Sequence, residues 1–141
     1  MRFWDASALS PLIVADRFTK MAIALARQDD AMMVWWASRI ECASALSRRE
    51  RESLLTSEQS AASWRRLERM ALSGHEVAPS EELRTESVRL LRRYPLRAGD
   101  AQQLAAASLA GRRQPQPLPV VTFDDRLAAA ARDEGFAVQG I

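Results

Sequence analysis

The chain has 141 residues, 48% hydrophobic and 27% charged, which marks one domain (1–141) with a core of its own and argues against a disordered chain. Its 20 basic and 18 acidic residues leave a formal charge of +2, so no global basic field announces nucleic acid. A single cysteine, Cys42, excludes an internal disulfide, and a single histidine, His75, argues against a zinc site or a Ser-His-Asp triad.

The opening stretch carries Asp5 inside what would be the apolar part of a signal peptide, and no apolar run reaches the roughly 18 residues of a membrane span. No membrane association and a cytoplasmic location are therefore expected, in keeping with the lone cysteine. Arg2 to Asp5 reads as a short strand that ends at the aspartate. Ala8 to Gln28 reads as two short helices broken near Pro11 to Asp16. Met32 to Trp35 is a second strand, and Ser38 to Arg51, rich in alanine, leucine and arginine, is a helix. Thr56 with Gln59 has the spacing of a capping box that opens a helix to about Ser73. His75 to Val77 is a candidate strand. Ser80, followed by Glu81 and Glu82, opens a helix to about Arg93. After Pro95 and Gly99, Asp100 begins a helix that Gly111 stops. Gly111 to Pro119 is a loop, and Pro119 to Phe123 has the β-branched pattern of a buried strand. Asp125 to Glu134 is a helix with Gly135 at the left-handed stop, and Phe136 to Val138 is the last strand.

Strands separated by helices predict an α/β fold with a mainly parallel sheet covered on its faces. Ligands of such sheets bind beyond the carboxyl ends of the strands. Asp5 and Asp124 each follow an apolar strand and would be carried to that rim. Asp124 reads equally as a functional acid or as a helix cap, and Asp125 reads as the cap. Glu41 has small neighbours one turn away, Ala37, Ser38, Ser44 and Ala45, which leave room beside its carboxylate. Its plainer reading is a solvated residue paired with Arg48 or Arg39. Asp100 has the plainer reading of a cap.

Four carboxylates brought together would repel and hold on to protons unless a cation relieved them. An oxygen-only donor set suits Mg²⁺ or Mn²⁺, which bind few carboxylates and keep several waters. Such ions activate water and offset charge at a phosphodiester.

The order FWDASAL, RIECASAL, LRAGDAQQLAAA, VVTFDDRLAAAARDEGF resembles the PIN-domain ribonucleases, and within them the VapC-type toxins of bacterial type II toxin–antitoxin pairs. The resemblance runs from Arg2 to Val138 and implies a three-layer α/β/α sandwich. It implies that Asp5, Glu41, Asp100 and Asp124 are the metal-site acids. It puts Ser7 beside them, to orient water or a neighbouring carboxylate, and Thr122 before the last acid, with Asp125 a further member or a cap. The implied activity is Mg²⁺- or Mn²⁺-dependent RNA hydrolysis by a metal-activated water. The implied partners are an RNA substrate, a small VapB-type antitoxin and a second copy in a homodimer. Arg97 and Arg126 are candidates for the RNA backbone, with Arg112 and Arg113 behind them. Trp4 reads as core. Of Trp35 and Trp36 one is expected inside and one outside. Trp64, Leu67 and Ala71 form a stripe that would pack, or receive an antitoxin helix. The competing reading is a catalytically inactive PIN-like module that binds RNA or protein. A phosphatase of the haloacid-dehalogenase type wants a second aspartate two residues after the first, where Ser7 stands.

Overall fold

In the computed structural model, which describes all residues from Met1 to Ile141, five short strands and seven helices follow one another along the chain. They are β1 (Arg2–Trp4), α1 (Ala6–Ile13), α2 (Thr19–Ala26), β2 (Met32–Trp35), α3 (Ser38–Arg51) and α4 (Ser57–Ser73), then β3 (His75–Val77), α5 (Glu81–Arg93), α6 (Ala98–Arg112), β4 (Val120–Thr122), α7 (Asp125–Asp133) and β5 (Val138–Gly140). The sheet is wholly parallel, in the order β3-β2-β1-β4-β5. The chain runs outward from β1 to β3 on one side and returns to β4 on the other. The strand order reverses at the boundary of β1 and β4, which is where such sheets open a crevice for ligands.

Burial on both faces explains the unbroken apolar strands. Phe3 pairs in register with Val120 and Trp4 with Val121. Phe3 and Val120 face α5, α6 and α7, packing with Leu90, Leu104 and Leu127. Trp4 and Val121 face α1 to α4, packing with Leu9, Ile13, Leu46 and Leu67. Two cores on the two sides of one sheet make the expected α/β/α sandwich. Trp35 closes β2 inside the core, whereas Trp36, one residue beyond the strand, is 48% exposed. No helix is long and apolar enough to cross a membrane.

The ends of elements depart from the sequence reading in instructive ways. The break between the first two helices begins at Val14, inside the expected Pro11 to Asp16 span, and α1 keeps Pro11 within it because Leu9, Pro11 and Ile13 are all buried against the core. Packing outweighs the lost backbone bond in so short a helix. Helix α6 starts two residues before Asp100 and passes through Gly111, whose missing side chain faces Phe136 and Leu118. The last strand lies at Val138–Gly140, not at Phe136. Gly135, at φ +93°, ends α7 in a Schellman turn, with its N–H donating to Arg132 O and the Phe136 N–H to Ala131 O. That turn ties up Phe136 and turns its ring toward the core. The capping box of Thr56 and Gln59 is present as its spacing predicts.

Candidate functional site

Asp5 caps α1: the Ala8 N–H donates to Oδ1 at 3.0 Å. Its carboxylate is buried beneath two hydroxyls. Ser7 Oγ lies 2.8 and 3.0 Å from the two carboxylate oxygens, and Thr122 Oγ1 donates to Oδ2 at 3.0 Å. Each hydroxyl is held in turn by an amide of the loop after β4. Phe123 N–H donates to Ser7 Oγ at 2.9 Å, and Asp124 N–H donates to Thr122 Oγ1 at 3.0 Å. The ends of β1 and β4 are thus locked together around one carboxylate.

Glu41 lies in the first turn of α3, after β2, and is half-buried. Gln103 Nε2 donates to its Oε1 at 3.0 Å and to Ser38 Oγ at 3.0 Å. The predicted pairing with Arg48 or Arg39 is not formed: Arg39 turns to Glu76 and to the Ala71 carbonyl. Asp100 lies in the first turn of α6 and accepts from the Arg97 N–H at 3.2 Å, so its capping role and its place in the cluster coincide. Gly99 packs beside the Glu41 carboxylate.

Asp124, not Asp125, caps α7, accepting from the Leu127 N–H at 2.8 Å. Asp125 is exposed at the first helical position and takes no part in the network around Asp5. Arg97 and Arg126 are exposed, and their charges reach Asp100. Arg112 is drawn away, pairing with Glu82 and Glu86 at the far end of α6.

All four acids thus sit at N-terminal ends of helices, where the backbone dipole favours negative charge. Even so, burial raises three of them. It pushes Asp5 up to about 7 against the hydrogen bonds that favour its charge, with Asp124 adding repulsion. Burial also raises Glu41, helped by the charge of Asp100, and raises Asp100, helped by the charge of Asp124. The repulsions link all four carboxylates. Burial pushes the neighbouring Cys42 thiol up to about 12, so it is no nucleophile. No three acid, histidine or cysteine side chains converge into a ready cage. The donors are nonetheless all oxygen and mutually repelling, which fits a hard cation that keeps part of its water shell.

A family model for the PIN domain matches residues 2–133. The chain belongs to the PIN domain family. Solved PIN-like folds include VapC20 of Mycobacterium tuberculosis, a sarcin-ricin loop cleaving toxin, at 19% identity over 97% of both chains and a TM-score of 0.71. FitAcB of Neisseria gonorrhoeae matches at 16% identity over 98% of this chain and 96% of that one, TM-score 0.66. A toxin–antitoxin complex from Klebsiella pneumoniae matches at 22% identity over 91% of each chain, TM-score 0.61. At these identities the likeness is one of fold. The chain has no significant match among curated protein sequences. In this PIN domain the reading of the sequence overlooked Ser38 and Gln103. Their signal was present: a glutamine three residues after Asp100 and a serine three residues before Glu41, each on the helical face of the acid.

Proposed function

We propose that this PIN domain is a VapC-type endoribonuclease toxin, dependent on Mg²⁺ or Mn²⁺ and held in check by a small antitoxin in the cytoplasm. The observation that carries the reading is a chain of mutual repulsion, Asp5 with Asp124, Asp124 with Asp100 and Asp100 with Glu41, that links acids from four separate segments, with Asp5 and Asp124 at the point where the strand order reverses. Those four carboxylates would hold the ion. When bound, the ion supplies Lewis acidity for a water nucleophile and countercharge for the phosphodiester. The rest falls to the chain. Ser7 and Thr122 keep the Asp5 carboxylate in one orientation, and Asp124 is fixed by its cap to α7. Arg97 and Arg126 flank the acids and attract the RNA backbone. No side chain is asked to act as a nucleophile.

Partner surfaces belong to the same reading. Between α3 and α4 runs an apolar groove of about 640 Å³, lined by Ile40, Ala43, Trp64, Leu67, Ala71 and Leu72. Ile40 is 59% and Leu72 89% exposed, so an amphipathic antitoxin helix would find apolar anchors there. A homodimer is expected, and sedimentation of the purified chain tests it.

Cleavage is tested on the purified, partner-free protein with mixed cellular RNA, with Mg²⁺ or Mn²⁺, a chelator control and the Asp100→Asn variant. Discrete fragments that need both the metal and Asp100 are expected. An Asp100→Asn variant that cuts at the wild-type rate would remove Asp100 from the site. A folded, metal-loaded wild type that cuts nothing would favour the inactive binding module.

A further inference from the structure

Gln103 is only 2% exposed, and every other buried residue of α6 is alanine or leucine. Burying an amide is unfavourable unless its hydrogen bonds are met. Here both amide protons are used, one on Ser38 Oγ and one on Glu41 Oε1, each at 3.0 Å. A carboxylate ion only accepts, so the nitrogen must be the atom that faces Glu41, and the amide can sit only one way round. Ser38 Oγ also lies 3.3 Å from Gln103 Oε1, so the hydroxyl grips the head of the amide. The spacing repeats on both helices. Ser38 and Glu41 are three apart on α3, and Asp100 and Gln103 are three apart on α6, so each acid has its polar companion one turn away.

Glu41 takes no other side-chain hydrogen bond. Without that one, a glutamate with three free torsions would have to be ordered at the moment of ligand binding. We infer that Gln103 is a positioning residue for Glu41, clamped by Ser38, which holds Oε1 and leaves Oε2 for the divalent cation. The inference rests on the metal-dependent reading above and adds to it a residue that never touches substrate.

The test is Mn²⁺ binding to the purified protein, read from the electron paramagnetic resonance of free Mn²⁺, so it does not depend on cleavage. Gln103→Met keeps length and apolar bulk but has no donor. It is expected to bind Mn²⁺ about tenfold more weakly, the scale for residues that orient a metal's ligands. In a Glu41→Gln background the same change is expected to have no further effect, which simple loss of packing would not produce. Thermal unfolding checks that the variants are folded. Should Gln103→Met fail to fold, Ser38→Ala carries the test, with a weakening of about threefold expected as the amide loses its anchor. Wild-type affinity in a folded Gln103→Met, or an equal loss in the Glu41→Gln background, overturns the inference and leaves the nuclease reading standing. A wild-type chain that binds no Mn²⁺ overturns both.

Discussion

Replacing Asp5 by asparagine separates the electrostatic cost of the carboxylate from its use. The buried side chain keeps its proton up to about 7, against 3.8 for an ordinary aspartate. Between those values the folded chain holds a proton that the unfolded chain has released. The contribution of this group to stability is therefore complete below 3.8 and is lost as pH rises through about 7. Without a divalent ion, Asp5→Asn is expected to be more stable than wild type by a margin that grows over this range, to an upper bound of roughly 4 kcal/mol. Chemical denaturation of both chains across pH checks it, and a margin independent of pH would contradict it. The same variant is expected to lose cleavage. An acid after an apolar strand was visible in the sequence at Asp5. Its burial under Ser7 and Thr122 was not, because Thr122 lies 115 residues beyond Ser7 and only the parallel pairing of β1 with β4 brings them together.

Each acid owes its place to the first turns of a helix, and local chemistry made these turns partly readable. The Thr56 and Ser80 caps and the Gly135 stop follow from short-range bonds that a few neighbouring residues form among themselves. Gly111 and Phe136 misled for the opposite reason, since packing against distant residues decided their conformation. Gly140 shows how an edge strand reaches the site. It pairs with Thr122, has φ +112°, and a Cβ there would collide with the Thr122 carbonyl oxygen and approach the Phe123 ring to 3.2 Å. Gly140→Ala is expected to destabilise the chain by about 1–3 kcal/mol, seen as a lower urea midpoint. Cleavage should fall with it, because the hydroxyl of Thr122 holds Asp5. Full activity in this variant would show that β5 does not support the site.

On the scale of the molecule, the proposed function puts the metal-site acid and the antitoxin groove on neighbouring surfaces of α3. Glu41 turns toward α6, while Ile40 opens onto the groove against α4. Ile40→Asp places a charge in that groove without touching the acids. It is expected to leave cleavage unchanged and to weaken inhibition by the cognate antitoxin by at least about tenfold, since a buried interface anchor is lost. Inhibition curves with the proposed antitoxin check this. Unaltered inhibition would place the antitoxin elsewhere.

The sequence alone determined the alternation of strands and helices and nominated the four acids and the hydroxyls near two of them, because apolar period, capping chemistry and the spacing of motifs are local properties. The order of motifs also carried the family resemblance, which the match over residues 2–133 bears out. Tertiary structure decided the rest. It drew Arg112 away to Glu82 and Glu86, and set Gln103 against Glu41. Each of these depends on partners far apart in the chain, and their meeting follows from which strands pair and which helix faces are buried.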